Sequence, residues 1–433
     1  MNTATETSLF KNIIASFNST KSAEDILRQN AIELLEEIGL PTTKSEEYKF
    51  THITKILEKK LNWASTTQPS SLSSIDSFLI KDLDAYLVVL VNGKYSKELS
   101  KISDLQKSLI ITSFSEANAS AKAIIKSHLE TVVKSEDSFA LINNAFWQEG
   151  IFIHAPENVI VEKPILVIHI NDANQEQVIS HTRILAIIEK GSQLSIIEKS
   201  ESIGEHACLH TFTEEIIVKE SATFEYCKIQ NDHGHIHQVS NTTILQANSS
   251  KVNTFTLTLD GKLIRNNLTI IIDGEQCESH FNGLYLLNGN TIADNHTVVD
   301  HQKPNSFSNE LYKGIMDDNS KGVFNGKIYV RPYAQKTNAF QSNRNILMSE
   351  SSTINTKPQL EIWADDVKCS HGCTTGQLDE EALFYLQARG IPHQSAKAML
   401  LYAFALDVLA SIKNENLKTY LDKLISERLH KNL

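Results

Sequence analysis

Three side chains that can bind soft metals fall within five residues near the C-terminal end of the chain. Cys369, His371 and Cys373 alternate in the pentapeptide C-S-H-G-C. In an extended backbone alternate side chains lie on one face, so the three would face the same way. Thiolate and imidazole groups together suit iron or zinc. Three ligands do not close a structural zinc site, so the pattern favours an open one. The alternative is a small buried cysteine beside a hydrogen-bonded histidine.

A second group of candidate ligands is the run D-H-G-H-I-H. It contains His233, His235 and His237, which share one face if the run is a strand. Histidine-rich tracts bind zinc or nickel. Gly234 and the polar flanks indicate a turn instead, in which the histidines are solvated or bonded to carbonyl groups, and this is the interpretation we favour. The other cysteines lie singly in alternating runs and are predicted core residues: Cys208, Cys227 and Cys277.

Composition argues against several kinds of partner. The chain has 433 residues, with 52 acidic side chains against 41 lysines and arginines, and a net charge of −11. Nucleic acid is a poor partner for such a chain because phosphate binding needs a basic face. Five cysteines suit a reducing compartment. No apolar run is long enough to cross a bilayer and no signal-peptide pattern opens the chain, so we expect a cytoplasmic protein without a membrane partner.

The sequence also lacks the common catalytic motifs. There is no P-loop, no G-x-G-x-x-G after a strand, no G-x-S-x-G elbow and no H-E-x-x-H. We therefore expect a chain that does not hydrolyse ATP and is not a self-contained enzyme.

The elements that would position these residues fall into three regions. Residues 1–149 are predicted to be helical or mixed, with a helix over 22–40 and a buried strand over 85–95 that ends in an Asn-Gly turn. Residues 150–376 consist of short alternating runs without a helix-length pattern. Residues 377–433 return to helix. The spacing of the runs suits a β-sandwich and a solenoid of stacked turns equally well.

The C-S-H-G-C segment lies between a predicted strand and a predicted helix. Leu360, Ile362 and Ala364 alternate with other residue types, as at the end of a strand. Asp379 and Gly390 are typical start and stop residues of a helix. We therefore expect the three ligands in an irregular stretch, where side chains can face away from the core.

The predicted helix over 414–429 has an apolar stripe along one side. Such a stripe is more typical of packing within a chain than of a groove for a partner.

Several longer stretches resemble a known family. They are K-C-S-H-G at 368–372, H-T-V-V-D-H at 296–301, S-N-E-L-Y-K-G at 308–314, F-N-G-K-I-Y-V at 324–330 and Q-S-N-R-N-I-L at 341–347. Together they resemble the SufB/SufD family, most of all its SufD branch, since SufB chains are usually longer. The resemblance implies a mainly β protein whose core is a right-handed parallel β-helix (β-solenoid), flanked by N-terminal and C-terminal α-helical regions.

The resemblance also implies a function. SufD-like chains are non-catalytic scaffold subunits of the SUF iron–sulfur cluster assembly complex, so we expect pairing with a SufB-like paralogue. We also expect the C-terminal helices to bind the ATPase SufC. The family's K-C-S-H-G histidine lies at the SufB–SufD interface, where the nascent cluster forms, which implies that His371 and Cys369 are ligands of a transient Fe–S cluster. Cys373 matches no family role. The sequence does not decide the cluster type, the presence of flavin in the complex, or whether the isolated chain is a homodimer.

The alternative from another class is a cytoplasmic β-solenoid enzyme that acts on carbohydrate. Such an enzyme needs two exposed carboxylates several ångströms apart in a groove. The adjacent pairs Asp317–Asp318 and Asp365–Asp366 are poor candidates, because neighbouring residues of a strand point to opposite faces. The placement of the acidic residues discriminates between the two hypotheses.

Overall fold

The computed structural model describes residues 7–19, 26–63, 70, 72–106, 108–132, 137–232 and 234–431. The helices are α1 (Ser8–Ser19), α2 (Ile26–Ile38), α3 (Ile53–Lys60), α4 (Ala119–His128), α5 (Ser138–Phe146), α6 (Glu380–Ala388), α7 (His393–Leu409) and α8 (Glu415–Lys431). The strands are β1 (Tyr86–Val91), β2 (Lys94–Tyr95), β3 (Ile110–Ser113), β4 (Glu149–Ala155), β5 (Ile165–Ala173), β6 (Val178–Ile188), β7 (Gln193–Gly204), β8 (Cys208–Val218), β9 (Thr223–Asn231), β10 (Ile236–Gln246), β11 (Lys251–Asp260), β12 (Leu263–Ile272), β13 (Glu278–Leu287), β14 (Ile292–His301), β15 (Phe307–Met316), β16 (Lys321–Val330), β17 (Asn338–Leu347), β18 (Thr353–Ile362) and β19 (Lys368–Gly376).

The strands form two long sheets in which hydrogen-bonded neighbours are mostly two strands apart in the chain. Sheet A runs in the order β19-β17-β15-β13-β11-β9-β7-β5-β1-β2, and sheet B in the order β18-β16-β14-β12-β10-β8-β6-β4-β3. Pairing from β4 to β19 is parallel, and the register continues from turn to turn: Phe307 lies beside Asn338, which lies beside Lys368. Each turn therefore adds one strand to each sheet. The predicted β-solenoid is confirmed, and the sandwich alternative is wrong because sandwich sheets are built from antiparallel neighbours.

Glycines make room for tyrosine rings inside the solenoid. Gly283 of β13 lies beside Tyr312 of β15, and Tyr285 lies beside Gly314 on the same pair of strands. A Cβ atom added to Gly283 would lie 2.2 Å from the Tyr312 ring, and one added to Gly314 would lie 2.1 Å from the Tyr285 ring. Both rings are almost fully buried. In the G-L-Y and Y-K-G runs, the glycine of each run therefore makes room for the tyrosine ring of the other run in the adjacent turn.

Helices cover the outer faces of both sheets. The stripe of α8 is buried on sheet A, where Leu417, Leu421 and Ile425 belong to the same apolar cluster as Leu257 of β11. The predicted packing of this stripe within the chain is therefore confirmed. The N-terminal helices lie on sheet B, against residues such as Val239 of β10. In the part of the chain that the structure describes, no helix is long and apolar enough to span a membrane.

The N-terminal predictions are confirmed where the structure describes them. The predicted helix over 22–40 corresponds to α2, and residues 22–25 lie outside the described residues. Strand β1 occurs as predicted, and Asn92 and Gly93, both with positive φ, connect it to β2 in an antiparallel hairpin. Strands β1 to β3 also extend the two sheets, so the solenoid includes part of the region that precedes residue 150.

The two ends of the solenoid differ. At the N-terminal end, the antiparallel strands β2 and β3 complete the two sheets. At the C-terminal end the sheets finish with the parallel strands β18 and β19. Among the described residues, no further strand pairs with either of them. The backbone N–H and C=O groups on these two outer edges are consequently available for pairing with another chain.

Candidate functional site

The C-S-H-G-C segment lies in the last strand of sheet A. Cys369, His371 and Cys373 of β19 lie beside Ala339, Gln341 and Asn343 of β17. The prediction of an irregular stretch is wrong, because the backbone continues the parallel ladder without interruption. The segment lacks the alternation of large apolar residues that marks the other strands, which is why the sequence did not identify it as one. The prediction that the three side chains share a face holds, and the face is the inner one.

The three candidate side chains differ in exposure although they share this face. Cys369 is half-buried against the apolar core, and burial raises the pKa of its thiol. His371 and Cys373 are exposed, because no other strand of the described residues covers β19. Alternate residues of a strand are roughly 6.6 Å apart, so Cys369 and Cys373 are separated by about twice that distance. The two thiols therefore cannot bind the same ion. Within the described ranges, no three His, Cys, Asp or Glu side chains are grouped closely enough to hold a metal ion. The site is therefore open.

Cys373 contacts polar groups from both sheets. Its Sγ atom lies 2.9 Å from Thr356 Oγ1 of β18 and 3.9 Å from Asn343 Oδ1 of β17. Asn343 in turn donates from Nδ2 to the hydroxyl of Tyr285, at 3.0 Å. Asn345 Nδ2 donates to Asn343 Oδ1 at 2.6 Å. A hydrogen-bonded polar layer thus lies directly beneath the exposed thiol.

A second polar pair lies beneath His371. Gln341 Nε2 donates to Glu310 Oε2 of β15 at 2.7 Å, and both side chains are buried. Burial raises the pKa of Glu310 to about 7, although hydrogen bonds from Thr297 and Gln341 partly oppose this rise. Sequence reasoning missed this pair. The signal is that Glu310, Gln341 and His371 occupy matching positions in successive turns, which only the register reveals.

Two family models match the chain. Residues 4–167 match the SufBD protein N-terminal region, and residues 169–404 match the SufBD core domain of SUF system FeS cluster assembly. The chain belongs to the SufBD family. Membership assigns it to iron–sulfur cluster assembly in the SUF system.

Curated relatives of this SufBD protein match over most of its length. It is 30% identical over 406 residues to the iron–sulfur cluster assembly protein SufD of Escherichia coli, covering 93% of this chain and 92% of that protein. It is 29% identical over 410 residues to a SufBD family protein of Synechocystis, covering 93% and 90%. SufD of Bacillus subtilis is 25% identical over 420 residues, covering 93% of each chain. The predicted family is confirmed.

The second histidine group of the SufBD chain does not form a site in the described residues. His237 is buried in β10, where its Nδ1 lies 3.0 Å from the carbonyl oxygen of Cys208. His235 is exposed in the turn before β10, and His233 lies outside the described residues. The three other cysteines are buried free thiols, as predicted. Burial raises the pKa of all three, that of Cys208 to about 12.

Neither Asp317–Asp318 nor the pair Glu198 and Glu214 provides the two exposed, separated carboxylates that carbohydrate hydrolysis requires. Asp317 and Asp318 lie in the turn after β15, where the Asp318 N–H donates to Asp317 Oδ1 at 2.8 Å. Glu198 and Glu214 do approach each other inside the solenoid, where Lys228 Nζ is 3.4 Å from the first and 2.9 Å from the second. Burial and the neighbouring Glu198 carboxylate raise the pKa of Glu214. Both carboxylates are at most 2% exposed, so a sugar chain has no access to them.

Proposed function

We propose that this chain is a non-catalytic, cytoplasmic scaffold subunit that pairs with a SufB-like paralogue, so that a nascent Fe–S cluster is built between the two. The observation that best supports this proposal is the position of His371, exposed on the last strand of an open-ended solenoid. A half-site of this kind needs ligands from a second chain. It also suits a scaffold, because a cluster held by few ligands from each subunit can be released.

The open end supplies a surface for that pairing. The unpaired edges of β18 and β19 can accept strands from another chain by edge-to-edge hydrogen bonding. Pro358 lies within β18, so one position of that edge has no N–H to donate. A SufB-like paralogue is the proposed occupant in the assembled complex. The same edges would form a homodimer when the chain is isolated.

His371 and Cys369 are the proposed cluster ligands from this subunit. They are two residues apart on one face of β19, a spacing at which an imidazole and a thiolate can contact the same cluster. Cys369 must leave its half-buried position against the core to do so. The iron and sulfide of the cluster are cargo of the scaffold, and the paralogue supplies the remaining ligands.

The C-terminal helices are the proposed binding region for a SufC-type ATPase. Most apolar residues of α7 and α8 are buried on sheet A. On α6 and α7, however, Phe384, Tyr385 and Met399 are 72%, 56% and 50% exposed. Exposed large apolar side chains on neighbouring helices are typical of a protein-binding surface.

The test of the ligand assignment is His371→Ala in the complex co-expressed with its SufB-like and SufC-like partners. We expect an intact complex that binds much less iron and acid-labile sulfide than wild type. Ser370→Ala is the matched control, since Ser370 lies on the same strand but on its other face. Normal iron and sulfide in the His371→Ala complex would refute the role of His371. The absorption spectrum of the same preparation would show whether a flavin is bound.

A further inference from the structure

Three side chains form a column from the solenoid interior to its open end. Glu310 of β15 lies beside Gln341 of β17, and Gln341 lies beside His371 of β19. All three positions are on the inner face of sheet A. Neighbouring strands are roughly 4.8 Å apart, so the three side chains follow one another along this face, and Gln341 and Glu310 are hydrogen-bonded. The first two are buried and the third is exposed.

The hydrogen bond between the two buried members fixes the orientation of the amide. In this bond Gln341 directs its Nε2 toward Glu310 Oε2, at 2.7 Å. The amide oxygen Oε1 then faces away from Glu310. This oxygen is buried, and it has no hydrogen-bond partner among the residues that the structure describes. Gln341 as a whole is only 2% exposed. A buried acceptor without a partner is unfavourable, and a donor that reaches it is stabilised.

The opposite sheet leaves room for this amide. Gly326 of β16 faces Gln341, and a Cβ atom added there would lie 2.2 Å from Gln341 Nε2. Any larger side chain at this position would displace the amide from its hydrogen bond with Glu310. Gly326 and the amide of Gln341 thus fit against each other in the layer next to His371, the proposed ligand.

A histidine that binds metal usually donates the N–H of its other ring nitrogen to an acceptor, which fixes the tautomer and the direction of the ring. We propose that Gln341, held by Glu310, is the positioning residue that accepts this N–H from His371. The positioning role of Gln341 rests on the proposed function in one respect only: the other ring nitrogen of His371 is taken to face the cluster. Gln341 itself does not touch the cluster.

The first test is the tautomer of His371, read from the ring ¹⁵N shifts of the full-length chain with labelled histidine. Its signals are assigned by their loss in His371→Ala. We expect one tautomer in the wild type and a mixture in Glu310→Met/Gln341→Met. The double variant is chosen because replacing both partners of a buried hydrogen bond by apolar groups of similar size is close to neutral for folding. Ser342→Ala, on the other face of β17, is the control and should keep one tautomer.

The second test is the exchanged pair Glu310→Gln/Gln341→Glu. It retains the amide–carboxylate hydrogen bond and places an acceptor beside His371, so we expect the single tautomer to return. Co²⁺ binding by the full-length chain provides a further readout. Affinity should fall roughly 10-fold in the apolar double variant and stay near wild type in the exchanged pair.

Each outcome has a separate meaning. A mixture of tautomers in the wild type, or one unchanged tautomer in the apolar double variant, would overturn the positioning role of Gln341. Co²⁺ affinity that is unchanged in His371→Ala would instead contradict the ligand role of His371. The tautomer test decides the positioning role even in that case, because it is made without metal.

Discussion

Proline at residue 375 should block pairing at the open end without unfolding the solenoid. The Lys368 N–H donates to Thr337 O, toward the interior of sheet A. Because N–H groups alternate along a strand, that of Thr375 faces the unpaired edge of β19. Thr375→Pro therefore removes a donor that the subunit itself does not use. The backbone nitrogen of Pro358 in β18 likewise faces an unpaired edge. The Thr353 N–H donates inward to Ser320 O, and N–H groups at odd and even positions of a strand face opposite sides.

The expected loss of affinity for the paralogue follows from one hydrogen bond that is lost at the edge of β19, which is buried in the complex. Removing the donor leaves the partner's carbonyl group buried without a hydrogen bond, which costs about 1–3 kcal/mol. This corresponds to a rise in Kd of roughly 5- to 150-fold. The free energy of unfolding of the isolated subunit should change far less, because the β17–β19 ladder remains complete.

The assay is calorimetric titration of each variant with the purified SufB-like paralogue from the same source. Thr375→Ala is the matched control, because it removes the same side chain and keeps the N–H, and it should bind like wild type. Denaturant unfolding of the isolated subunit checks that the proline variant is folded. A Kd for Thr375→Pro within about threefold of wild type, in a folded protein, would refute pairing along this edge.

Three further predictions concern stability and the ATPase. Burial and the nearby Glu201 raise the pKa of Asp232 to about 8, so the folded state retains a proton that the unfolded state loses near pH 4. Asp232 should therefore lower the free energy of unfolding by up to about 1.4 kcal/mol per unit as pH rises from 4 to 8, and Asp232→Asn should make the slope in denaturant titrations shallower by that amount. Gly314→Ala places a Cβ atom against the buried Tyr285 ring and should destabilise the fold by about 1–3 kcal/mol, whereas Ser342→Ala should not. Phe384→Ser should weaken SufC binding in pull-down experiments and leave the unfolding transition unchanged; full SufC binding would contradict the proposed surface.

The fold was predictable because local and long-range patterns agree. Short alternating runs separated by turn residues indicated strands, and Asp379 begins α6 as predicted by accepting hydrogen bonds from the N–H groups of Glu381 and Ala382. Periodicity alone did not distinguish a sandwich from a solenoid, because both use strands of this length. The family resemblance made that distinction, and the parallel register of the sheets confirmed it.

The site was predictable only in part. Residue types and alternation made Cys369, His371 and Cys373 candidates, and the family resemblance singled out Cys369 and His371. Their common face followed from an extended backbone. The buried pair Glu310 and Gln341 could not be identified, because the two residues are about 30 positions apart in sequence and become neighbours only through the register of the turns. The exposure of His371 likewise depends on the solenoid ending at β19, which no local pattern shows.

The most direct test of the central claim is the native mass of this chain after co-expression with the SufB-like and SufC-like chains of the same source. The scaffold proposal predicts a stable assembly that contains all three chains. That assembly should lose the SufB-like chain in Thr375→Pro and keep it in Thr375→Ala. A lone monomer or homodimer, with neither partner retained by the wild-type chain, would contradict the proposal.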